Sequence, residues 1–142
     1  MPHQRSRARD VALQLLYQHE LNPRMPRDAV ARFVHERLRQ PTDLEPFALA
    51  LFDGVLQHRA DLDRRLAEAA ENWKVPRMAV VDRNVLRLGG YELLHVPETP
   101  PAVVLDEAVE LARRYGSADS PAFVNGVLDR LRRGVAPVAA GE

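Results

Sequence analysis

Apolar residues recur at three- and four-residue spacing along almost the whole of this 142-residue chain, and no stretch alternates with the period of two that a half-buried strand requires. The pattern predicts an all-α fold. The length, with 46% apolar and 28% charged residues, fits a single soluble domain over about residues 1–134. The longest unbroken apolar run, Phe47 to Phe52, falls far short of the ~20 residues a membrane span needs, and no secretory h-region follows the basic N-terminus. A cytoplasmic protein with no membrane association is expected.

The first helix is expected from about Arg5 to Glu20, where Ala8, Val11, Ala12, Leu15, Leu16 and His19 share one face. Asn22-Pro23 and Met25-Pro26 break it. A second helix, about Arg27 to Arg39, carries Val30, Val34 and Leu38 and ends at Gln40-Pro41, with Thr42 or Asp43 placed to cap a third over Leu44 to Gln57. A short charged helix, Ala60 to Glu71, follows, and Trp73 reads as a packing anchor between the two halves.

From Met78 to His95 the chain is apolar on nearly every side, which predicts a central buried helix with Glu92 projecting into its apolar stripe. Gly89-Gly90 within it, each ~1 kcal/mol less favourable than Ala, predict the close passage of another helix backbone. Pro100-Pro101 open a sixth helix along Val104, Ala108, Leu111, Ala112 and Tyr115, with Gly116 as its C′ residue. Ser120-Pro121 supply an N-cap and first turn for a last helix through Leu131, and residues 135–142 read as a disordered tail. Asp53-Gly-Val-Leu56 and Asn125-Gly-Val-Leu128 echo each other, consistent with two helical sub-bundles over about 4–57 and 58–134.

Little in the chain points to catalysis. Cysteine is absent, which excludes disulfides, thiolate metal sites and a Cys nucleophile. Five histidines show no i,i+4 pair, no serine lies in a G-x-S-x-G elbow, and there is neither a P-loop nor a G-x-G-x-x-G. No metal, no cofactor and no enzymatic activity are expected.

Binding is the better reading of the charges. Twenty basic residues balance twenty acidic ones, yet residues 1–40 hold eight Arg against four acids. Arg5, Arg7 and Arg9 form a cluster with no acid before Asp10, suited to neutralising phosphates or to a solvated arm. With Ala8 at the centre of the core stripe, Tyr17 falls on the opposite side near Asp10, Leu13, Gln14 and Arg7. An aromatic ring beside Arg and Gln suits base stacking in single-stranded RNA, and equally a protein interface. Phe123, at the edge of the last helix's stripe, is either a second stacking platform or peripheral core.

Several segments are similar to one family. Arg5-x-Arg7-Ala8-Arg9-Asp10 leads to Ala12-Leu13-Gln14-x-Leu16-Tyr17, followed by Asn72-Trp73, Arg77, Val81-Asp82-Arg83-x-Val85-Leu86-Arg87 and Tyr91-Glu92-Leu93. Glu107-Ala108-Val109-Glu110-Leu111-Ala112 and Phe123-Val-Asn-Gly-Val-Leu-Asp129 continue the series. In this order and spacing, over about residues 4–131, the chain resembles the NusB transcription antitermination family.

The resemblance implies a compact seven-helix protein, not an enzyme, that binds the single-stranded boxA element of ribosomal RNA transcripts. It implies a heterodimer with the ribosomal protein NusE, joined to other Nus factors on RNA polymerase, and a possible homodimer when free. Arg5, Arg7, Arg9, Gln14, Tyr17 and Phe123 match positions associated with RNA, and Tyr17 and Asp82 lie where the family meets NusE. Ser6 and Ala122 stand where the family often has basic residues, so RNA affinity is expected to depend on NusE. A helical adaptor without specific RNA recognition is the competing reading. A methyltransferase-associated module is excluded as a catalyst, since neither a dinucleotide-type fold nor a cysteine is present.

Overall fold

The structure, a computed structural model, describes residues 2–39, 43–71 and 73–141; the side chains of 2, 3 and 135–141 are outside that description. Gln40, Pro41, Thr42 and Asn72, which the sequence reading used as helix terminators, caps or junctions, lie outside the described residues. Within it are seven α-helices, one 3-10 turn and no strand, as the apolar periodicity requires. The chain divides into two compact units, Met1–Gln57 and His58–Glu142.

The first unit holds α1 (Pro2–Leu21), α2 (Arg27–Leu38) and α3 (Leu44–Gln57), each in contact with the other two. Ala8, Val11, Ala12, Leu15 and Leu16 of α1 are buried, as are Val30, Val34 and Leu38 of α2 and Leu51, Phe52 and Val55 of α3. Each large aliphatic side chain so buried contributes roughly 1.5–3 kcal/mol before entropy is charged against it. Leu13 is a departure: placed by the helical wheel near the exposed side, it is only 5% exposed. The buried arc of α1 is wider than one stripe because α1 packs on two helices at once.

The second unit holds α4 (Arg59–Ala70), the 3-10 turn Val75–Arg77, α5 (Val80–His95), α6 (Pro101–Tyr115) and α7 (Ser120–Gly141). The α5 helix is its centre, touching α4, α6 and α7, and every residue from Asn84 to Gly90 is buried. Glu92 is buried too. Arg87 spans from α5 to α4, its Nε and Nη2 donating to the two carboxylate oxygens of Asp63 at 2.8 and 2.9 Å. The α7 backbone extends to Gly141, across most of the stretch read as a disordered tail; Glu142 lies outside the described residues.

Two glycine readings are corrected. At Gly89 it is not a helix backbone that comes close: an added Cβ would stand 2.7 Å from Leu128 Cδ1 and 3.6 Å from Ala108 Cβ, side chains of α7 and α6. The glycine makes room for a leucine. Gly116 ends α6 with φ −98°, not the left-handed turn expected of a C′ glycine. A Cβ there would lie 2.5 Å from Ser120 Oγ and 2.8 Å from the Ala112 carbonyl oxygen, so it is crowding that demands glycine. Ser120 itself is turned backward: its Oγ accepts from the Ser117 N–H at 3.0 Å, tying the α6–α7 corner.

Candidate nucleic-acid interface

The N-terminal arginines, read from sequence as one cationic cluster, separate into distinct environments. Arg5 and Arg7 are exposed, whereas Arg9 is 4% exposed, contrary to the expectation of a solvated cation. The reason is Phe47 on α3: the Arg5 guanidinium lies 4.5 Å and the Arg9 guanidinium 5.4 Å from its ring centroid. An aromatic face offers the cation a partly electrostatic seat, which offsets part of the cost of covering Arg9.

Arg7 reaches across to α2, where its Nη2 donates to the Leu38 carbonyl oxygen at 2.7 Å. That carbonyl belongs to the last residue of α2, where the helix has no amide left to offer and carries a partial negative charge. Gln14 is held on both sides: its Nε2 donates to Asp10 Oδ1 at 2.7 Å, and its Oε1 accepts from Arg37 Nε at 3.2 Å. Arg7, Asp10, Gln14, Tyr17 and Leu21 follow one another at three- and four-residue spacing and so line one side of α1. Tyr17 is 46% exposed and Leu21 66%. The sequence placed Tyr17 correctly because the opposite face of α1 is committed to the core.

Phe123 and Asp82 belong to the second unit and line one cleft of about 290 Å³, together with Trp73, Met78, Ala79 and the charged Arg77 and Asp119. Phe123 is half-buried on the first turn of α7, and the Trp73 ring meets it edge-on with centroids 6.0 Å apart. Trp73 is 55% exposed, which corrects its reading as a packing anchor; it stands outside the regular helices, just before the 3-10 turn, with its ring against Phe123. Asp82 lies in the first turn of α5, favourable for an anion, and its Oδ1 is buried with no hydrogen-bond partner among the described residues. Trp73, Arg77 and Asp119 were missed as site candidates; only the Asn72-Trp73-x-x-x-Arg77 spacing hinted at the first two.

Chemically, these surfaces offer planar cations, an amide, a phenol and two edge-packed rings, the groups that hold phosphates and stack on bases. Among the described residues, no group of three His, Asp or Glu side chains could hold a metal ion. No helix among them is long and apolar enough to cross a membrane.

The fold has close counterparts. The NusB family model matches residues 6–133. A transcription antitermination protein NusB from Sorangium cellulosum is 49% identical over 127 residues, covering 89% of this chain and 90% of its own. Among solved structures, NusB from T. maritima is 35% identical with a TM-score of 0.83, covering 95% of this chain and 94% of its own. A structure of the antitermination factors NusB and NusE in complex with double-stranded RNA is 29% identical with a TM-score of 0.84, covering 94% and 99%. The chain is built as an all-α transcription factor and not as an enzyme. It belongs to the NusB family of transcription antitermination proteins.

Proposed function

We propose that this protein binds boxA RNA of ribosomal RNA transcripts together with NusE, and joins other Nus factors on RNA polymerase in the cytoplasm to suppress premature termination. The observation that carries the reading is the likeness, over 94% of the chain, to a NusB solved with NusE and RNA. The surfaces agree with it in kind. Arg5, Arg7, Gln14 and Tyr17 supply phosphate and stacking contacts from the first unit, and Phe123 supplies one from the second. Arg9, read from sequence as an RNA contact, is buried over Phe47, so its part is assigned to holding this surface from beneath. Tyr17 in the first unit and Asp82 in the second are each assigned to contact NusE. In the free state a second copy covers the Tyr17 stripe and is displaced by the partners.

The test is fluorescence anisotropy of labelled boxA RNA against a scrambled single strand and a duplex of the same sequence, at two salt concentrations, with and without NusE. Preference for boxA that strengthens with NusE is the expected result. Equal, salt-sensitive binding to all three, unaltered by NusE, would reduce the arginines to a nonspecific arm and leave a helical adaptor. Sedimentation of the free chain with and without RNA reports the self-association.

A further inference from the structure

The exposed stripe of α1 does not stop at α1. Arg37, in the last turn of α2, has its guanidinium carbon 3.7 Å from the centroid of the Phe33 ring one turn earlier. Its Nε donates to Gln14 Oε1 at 3.2 Å, and Gln14 is bonded onward to Asp10. The neighbouring Leu38 carbonyl receives Arg7. Two polar ties, one from Arg7 and one from Gln14, therefore join the end of α2 to the same side of α1 that carries Tyr17.

Arg37 differs from the other guanidiniums of α2. Arg27 pairs with Asp53 at 2.7 Å and Arg32 lies 3.9 Å from Asp28, so both have a carboxylate of their own. Arg37 has a ring and an amide, neutral partners that orient it and leave its charge uncompensated among the described residues. The Arg37 guanidinium is seated on a ring and bonded through Nε, and its two Nη groups have no hydrogen-bond partner among the described residues. Part of the rotamer entropy a long side chain normally loses on binding is thereby given up in the free protein.

We propose that Arg37, preset on Phe33, is an RNA contact that carries the strand from α1 onto α2, taking one phosphate and stacking against one base of the single-stranded RNA. The inference rests on the RNA-binding reading above and adds to it a residue and a direction for the strand. Guanidinium planes serve as stacking surfaces for unpaired bases, and the fork of Nη donors matches a phosphate.

The experiment measures binding of labelled boxA RNA in the presence of NusE over a series of salt concentrations. It compares the wild-type chain with Arg37→Gln, Arg37→Lys, Phe33→Leu and, as a control, Arg32→Gln. Arg37→Gln is expected to weaken binding about tenfold and to lower the slope of log affinity against log salt by about one. Arg37→Lys keeps the slope while recovering only part of the affinity, because the charge remains and the planar face does not. Phe33→Leu weakens binding with the slope unchanged, and Arg32→Gln changes neither. Wild-type affinity and slope in Arg37→Gln would overturn the proposal. So would a loss confined to NusE binding measured without RNA, which would make Arg37 a protein contact. Should Phe33→Leu lose its helical circular dichroism, the Arg37 variants decide alone. A wild-type chain that binds no RNA with or without NusE removes the underlying reading, a result distinct from any difference among variants.

Discussion

His95 closes a small aromatic stack in the second unit: its ring lies 4.1 Å from that of His58 and 5.1 Å from that of Tyr91, nearly parallel to both. Burial and then the charge of His58 lower its pKa; Asp61 pulls it upward and Arg65 lowers it further. A base whose folded pKa is depressed stabilises the fold only while it is neutral. Its contribution is complete above the ordinary imidazole value near 6.5 and is lost as pH falls below it, because the unfolded chain takes up the proton first. Urea denaturation between about pH 7.5 and about pH 5 should show stability falling on the acid side, and His95→Phe should flatten that fall. Parallel curves for the two proteins would remove the stack from the account. None of this was legible in the sequence, where five scattered histidines show no spacing that brings 58 beside 95.

At the scale of elements, what α4 and α5 share is an ion pair as much as an apolar seam. The Arg87 side chain is 5% exposed and its fork is filled by Asp63, with Asn84 Oδ1 accepting a third bond at 3.2 Å. Removing Asp63 takes the carboxylate from a buried guanidinium, so Asp63→Ala should cost about 3 kcal/mol in chemical denaturation. The double replacement Asp63→Leu with Arg87→Met should recover most of that loss, since well-packed apolar side chains can replace a buried pair. A double variant no more stable than Asp63→Ala would place the cost in packing instead of charge. Helix positions were readable because periodicity is a local property. The partner of each helix was not: Gly89 announced a close neighbour, but whether backbone or the Leu128 side chain filled the space depends on a residue 39 positions away. Likewise Ser120 carries the residue type of an N-cap, and only the crowded corner at Gly116 shows its hydroxyl turned backward.

Across the whole molecule the formal charge is zero, so RNA is not drawn in by a net field and must be met by local groups. This makes the few exposed aromatic residues decisive. Tyr17→Asp should leave the helical circular dichroism and thermal midpoint unchanged while weakening assembly with NusE and RNA; loss of the helical signal would instead make Tyr17 a structural residue. Tyr17 was legible because exposure follows from the face of a helix. Arg9 was not, since the charge pattern could not reveal Phe47 waiting on α3, nor could the sequence show that Trp73 would stand half in solvent against Phe123.

The position of α7 also sets an order of events during synthesis. Leu62 and Leu66 of α4 converge with Leu131 of α7 around Gly90, and Leu128 fills the space left by Gly89. All three helices of the first unit have been synthesised by Gln57. The second cannot seal its core until α7 has left the ribosome, so for the time it takes to translate from α4 to Leu131 the leucines of α4 have no permanent cover.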